Sequence, residues 1–142
     1  MSITREVVSG ADVPSGIGPY SPAVRAGDLL YVSGQPGVDP QTAKPVGPGF
    51  TEQARQAFEN LDAVLRAGGS RPGLVVNTTI LVVDVGDFAE LNELFGNFFP
   101  IEPPGPDGDA GAVAGRAPDL DRLRRGGGGR LSPRGRHPPM PG

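Results

Sequence analysis

Two hydroxyl groups stand at the ends of one short stretch, Ile17 to Gln35 (IGPYSPAVRAGDLLYVSGQ), and they are the first candidates for chemistry. Tyr20 precedes a short apolar run and Ser33 closes the next one, with Gly34 and Gln35 directly after it. If the two runs pair as a hairpin, its flanks meet, and Tyr20 with Ser33-Gly34-Gln35 lines one rim. A glycine there lets a ligand approach the backbone closely. A lone Tyr after Gly-Pro is also an ordinary packing residue with a wet hydroxyl, and the residue alone does not decide between the two. Asn92 is a second candidate beside a helical apolar stripe, where a solvent-facing or locally bonded Asn is the commoner case. Other chemistry finds little footing. Asp84 and Asp87 suit turn and cap positions, and His137 is the single histidine, so neither a metal cluster nor a histidine triad can be built. Gly126 to Gly129 has no Lys-Ser/Thr after it and no strand before it, unlike a phosphate loop.

The elements that must position these residues follow from periodicity. Ala23 and Leu29 to Val32 bracket Ala26-Gly27-Asp28, a glycine-containing hairpin connection. Thr51 is the expected cap of a helix to Ala67, with Glu52 at its positive end and an apolar stripe of Ala54, Ala57, Phe58, Leu61, Val64 and Leu65. Gly68-Gly69 ends it. Leu74 to Val83 (LVVNTTILVV) has no helical period and predicts a buried central strand. Asp87 and Glu90 have capping-box spacing at the start of a second helix to Phe99, whose stripe is Phe88, Leu91, Leu94, Phe95 and Phe98. Hairpin, helix, strand, helix is an α+β order with the helices on one sheet face.

A length of 142 residues bounds a single domain, stable only if most of the chain contributes to its core. There is no cysteine, which suits a reducing cytoplasm. Met1 to Asp12 lacks a signal-peptide core, and no apolar run approaches the ~20 residues of a membrane span, so a cytoplasmic protein without a membrane partner is expected. The net charge of −3 hides a division: residues 1–100 carry 6 basic against 11 acidic groups, residues 101–142 carry 7 against 5. Gly, Pro, Arg and Ala make up 29 of those last 42 residues, with no aromatic among them. Such a composition cannot bury enough surface to offset backbone ordering of about 1–2 kcal/mol per residue, so this tail is expected to be disordered.

The ordered series GPYSPA, SGQ, QARQAFENL, TTILVVDVGDF and LNELFGNFFP resembles the RidA family (YjgF, also L-PSP) of enamine/imine deaminases up to about Pro100. The resemblance implies a chorismate-mutase-like α+β fold, a mixed β-sheet with two helices on one face, assembled as a homotrimer with sites in clefts between subunits. It implies hydrolysis of 2-imino or 2-enamino acids to 2-keto acids and ammonia, without metal or organic cofactor. It makes Tyr20 and Asn92 catalytic candidates and Ser33 and Gly34 substrate-binding ones. Two further groups of the family pattern are absent: Pro106 stands where a P-A-R arginine grips the substrate carboxylate, and no glutamate follows Glu102 to position water.

The departure has a coding explanation. Back-translating Pro104 to Asp121 and reading from the second base of each codon allows P-A-R-[MT]-x-[MT]-Q-V-P-L-P-x-x-L-L-I-x-I, the family's missing pair of strands. Residues 1–100 are therefore expected to be a truncated RidA-like domain, and residues 101–142 an out-of-frame tail without regular strands after about Pro104. A non-catalytic, small-molecule-binding member of the same fold is the alternative. Nucleic acid is disfavoured as a partner: the first part is acidic, and Arg122 to Arg136, though rich in Arg and Gly, has no aromatic residue to stack on bases.

Overall fold

The computed structural model describes residues 2–14 and 17–106 of the chain. Three short strands, β1 (Arg5–Val7), β2 (Ala23–Ala26) and β3 (Leu29–Val32), form an antiparallel sheet in that order. The β2–β3 hairpin pairs Ala23 with Val32 and Ala26 with Leu29, leaving a two-residue loop. Gly27 opens that loop at φ 58°, a left-handed conformation that glycine adopts without a Cβ clash. β1 was not expected from the sequence, because Arg-Glu-Val is too short and too polar to show a strand pattern, and all three residues are exposed.

Helix α1 (Phe50–Ala67) follows the apolar stripe. Its cap is Gly49 rather than Thr51, two residues earlier than expected, and the Glu52 carboxylate accepts the Gly49 N–H at 2.7 Å. The Thr51 hydroxyl instead donates to Glu90 of the second helix. At the other end Gly69, at φ 74°, and the Ser70 N–H on the Leu65 carbonyl at 2.8 Å close a Schellman-type terminus. A Cβ on Gly68 would lie 2.6 Å from Leu30 Cδ2, so this glycine lets β3 approach the helix. Val64, fully buried, packs there with Val8 and Ala23, and Val13, Leu30 and Val32 surround them.

Helix α2 (Phe88–Phe98) lies against α1, joined by aromatic contacts of Phe58 with Phe98 (centroids 4.8 Å) and Phe95 (6.4 Å). Asp87 does not cap it with its side chain, and Glu90 is engaged by Thr51, so the expected capping box is not formed. Asp84 does act as a cap, accepting the Gly86 N–H at 2.8 Å ahead of a single 3₁₀ turn.

The expected strand from Leu74 to Val83 is the main correction. A 3₁₀ turn occupies Pro72–Leu74, and only β4 (Asn77–Thr78) is laddered, in parallel with β5 (Gly105–Pro106). Val76 is 81% and Leu81 77% exposed, so the segment is not a buried core strand. A run of β-branched residues supplies strand propensity, but a central strand also needs ladders on both sides. Among the described residues only Gly105–Pro106 provides one. The same pairing places a two-residue strand just after Pro104, where none was expected. The result is α+β, with the strands divided between an antiparallel and a parallel sheet. The expectations for the rest of the tail concern residues 107–142, outside the described residues.

Candidate functional site

The hairpin's open end, the loop that follows it and the segment after β4 enclose a cleft of about 420 Å³. Tyr20, Ser33 and Gly34 all line it, together with Gln35, Pro36 and Val38 on the floor and Thr79 and Leu81 on the far wall. Three of the four expected site residues are therefore brought together. Asn92 is on α2, exposed, and is not among the lining residues of this chain.

Local hydrogen bonds explain the rim. The Ser33 N–H donates to the Pro22 carbonyl at 2.9 Å, and the Ser33 hydroxyl donates to the Ser21 carbonyl at 2.6 Å, so both ends of the hairpin are tied just beyond its last ladder pair. Gln35 turns back, its Nε2 donating to the Ser33 carbonyl at 2.9 Å. Tyr20 is held through its backbone, N–H to the Gly18 carbonyl at 2.8 Å, while its side chain is 58% exposed. A Cβ added at Gly34 would meet no atom of the described residues within 4 Å, so among these residues no packing fills the space beside this glycine.

The cleft's chemistry is that of neutral groups. Among the described residues, the hydroxyls of Tyr20, Ser33 and Thr79 and the Gln35 amide are its polar side chains, and none of those lining it carries a carboxylate, ammonium, guanidinium or imidazole. These groups can orient a small polar molecule by hydrogen bonding. They supply no fixed charge for a carboxylate and no general base for water. Directly after the cleft-lining Val38, the loop from Asp39 to Lys44 is folded by the Asp39 carboxylate, which accepts the Thr42 N–H at 2.8 Å and the Gln41 N–H at 2.9 Å. Those bonds, first from Thr42 and then from Gln41, hold its pKa below the ordinary carboxylate value.

Thr79, Leu81, Pro36 and Val38 were not anticipated as site residues, since nothing local marks the first two and the others belong to a loop whose path depends on α1. Asn60 was also missed. A polar residue between Ala57 and Val64 on the buried stripe was the available signal.

Comparison with known proteins places this arrangement. Residues 10–113 match the family described as Endoribonuclease L-PSP. A mouse 2-iminobutanoate/2-iminopropanoate deaminase is 43% identical over 98 residues, covering 69% of this chain and 73% of that protein. A RutC family protein of Sinorhizobium fredii is 45% identical over 94 residues, or 66% of this chain and 75% of that one. The crystal structure of RidA from an Antarctic Psychrobacter superposes with a TM-score of 0.69 at 34% identity, covering 78% of this chain and 85% of that one. The chain belongs to the RidA (YjgF, L-PSP) family. Among the described residues no helix is long and apolar enough to cross a membrane.

Proposed function

We propose that this chain carries the framework of a cytoplasmic RidA-type deaminase, acting on short 2-imino or 2-enamino acids, but without the groups that run the reaction. The observation that carries this reading is the cleft in which Tyr20, Ser33 and Gly34 converge and in which none of the described lining residues is charged. Hydrolysis adds water across the C=N bond and expels ammonia, leaving a 2-keto acid. A substrate carboxylate calls for a guanidinium fork, and the water calls for an acid to orient it.

Position 106 is where the fork belongs. Pro106 is the register partner of Thr78, one residue from the cleft-lining Thr79, so an arginine in its place would begin beside the cleft wall. Pro has no side-chain donor. The acid is missing in the same way, as no Glu follows Glu102. A single-base shift near the codons for Ile101 to Pro104 accounts for both losses. Asn92 joins the site in a homotrimer that closes the cleft from outside.

The test compares two genes. The chain as it stands gives no keto-acid release above background from 2-aminoacrylate-type intermediates. The gene with one base removed before the codon for Gly105, which returns the P-A-R frame, gives an active trimer. Its activity falls on Tyr20→Phe or Asn92→Ala, and disappears when the restored arginine is replaced by Ala. A restored protein that assembles but leaves imino acids untouched removes the deaminase reading. The second reading, a non-catalytic small-molecule binder, is favoured by the same uncharged cleft and would then stand.

A further inference from the structure

Asn60 is the single buried polar residue among the described ones, 2% exposed on the inner face of α1. A buried amide is costly unless its donors and acceptor are satisfied. Here Nδ2 donates to the Pro36 carbonyl at 3.1 Å and the Val38 carbonyl at 2.8 Å, and Oδ1 accepts from Gln56 Nε2 at 3.0 Å. Both N–H groups of the amide thus go to one three-residue segment, and Pro36 and Val38 are two of the residues that form the cleft floor. The residue between them gives an independent indication: a Cβ on Gly37 would lie 2.5 Å from Gln53 Cα, so the loop is pressed directly on the helix backbone.

We propose that Asn60 is a positioning residue for the cleft, clamping Pro36-Gly37-Val38 to α1 and so fixing the floor between the Ser33-Gly34 rim and the Thr79-Leu81 wall. An apolar residue of the same size would fill the space on α1 but take away the Asn60 donor from the Val38 carbonyl and leave the Pro36 carbonyl only the Val38 N–H at 2.8 Å. The loop has no ladder of its own to fall back on beyond a single bridge from Val38 to Pro45. Asn60 does not line the cleft and acts through the loop. The ligand half of this proposal rests on reading the cleft as the site for 2-keto and 2-imino acids.

The experiment uses the full chain and Asn60→Leu, followed by amide hydrogen exchange and by NMR titration with 2-oxobutanoate. The loop reporters are the Asp39 N–H, bonded to the Lys44 carbonyl, and the Val46 N–H, bonded to the Gly37 carbonyl; the Val8 and Gly68 N–H groups report on the core. Losing two buried hydrogen bonds predicts exchange at the loop reporters about tenfold faster relative to the core reporters. The 2-oxobutanoate concentration that half-shifts the Tyr20 and Gly34 signals should rise by about tenfold. Exchange that rises equally at all four amides overturns the clamp, and a loosened loop with unchanged 2-oxobutanoate binding overturns the positioning role. If Asn60→Leu fails to fold, Gln56→Ala decides: it frees Oδ1 alone, and should speed only the loop amides, by about two- to threefold. Uniform exchange in that variant refutes the proposal. If the unaltered chain does not bind 2-oxobutanoate, the absent carboxylate anchor of the proposed function accounts for it, and the exchange comparison alone decides the clamp.

Discussion

Two valines truncated to alanine separate the core from the segment that looks like core. Val64 is fully buried between Val8 and Ala23, with Leu30 and Val32 beside it, whereas Val76 is 81% exposed. Val64→Ala removes two methyl groups from water-free surroundings, a transfer loss of about 1.6 kcal/mol at ~0.8 kcal/mol per carbon. Its neighbours come from α1, the hairpin and the N-terminal segment, which cannot all move inward, so a residual cavity raises the loss to about 2–3 kcal/mol. Val76→Ala removes the same atoms from a side chain already in water and should change stability by less than about 0.5 kcal/mol. Urea unfolding followed by circular dichroism measures both. With an m-value of about 1–1.5 kcal/mol per molar, Val64→Ala lowers the midpoint by roughly 2 M, and Val76→Ala leaves it in place. Equal losses would mean that Leu74 to Val83 is buried after all, and the reasoning from exposure would be wrong.

Two smaller tests address the loops around the cleft. The depressed pKa of Asp39 means that its loop is favoured above the pKa of an unfolded Asp and released as pH falls through the lower folded value; the Gln41 and Thr42 amide signals should titrate together, with a midpoint below the ~3.9 of a free Asp. Ser33→Ala removes the hydroxyl bond to the Ser21 carbonyl and should cost about 1 kcal/mol, a drop of roughly 4–8 °C in Tm; an unchanged Tm would show that this bond does not tie the rim.

The sequence revealed those features whose cause is local. The hairpin turn, the α1 stripe and the Gly68-Gly69 stop depend on spacing and on glycine at fixed points, and all three are where they were expected. The Tyr20, Ser33 and Gly34 rim was legible for the same reason, since antiparallel pairing alone joins the flanks of a hairpin. What was misread depends on partners distant in the chain. Thr51 was assigned a cap that Gly49 supplies, because its hydroxyl reaches Glu90, 39 residues away. The Leu74 to Val83 run has the composition of a central strand, but composition does not state whether neighbours exist to pair with it. The cleft floor was invisible because Asn60 holds it from 22 and 24 residues away.

The same distinction bears on the chain's chemistry. The bonds described at the hairpin rim run between Ser33 and the Ser21 and Pro22 carbonyls, all before Pro100, so changes after Pro100 leave these ties in place. The floor survives too, since its clamp runs from Asn60 to Pro36 and Val38. The wall is different. Thr79 and Leu81 follow a strand of two residues whose one ladder partner among those described is Gly105–Pro106, so its order depends on what the chain encodes from that point on. Position 106 is a ladder residue beside Thr78, and in the proposed function it is also the place of a cationic side chain. Proline keeps a carbonyl for the ladder but has neither the N–H nor the guanidinium. Restoring an arginine by substitution at Pro106 alone should accordingly return a charge without the longer strand needed to fix it. On the proposed frameshift, a gene returned to the P-A-R frame supplies both, and only that second change should produce activity.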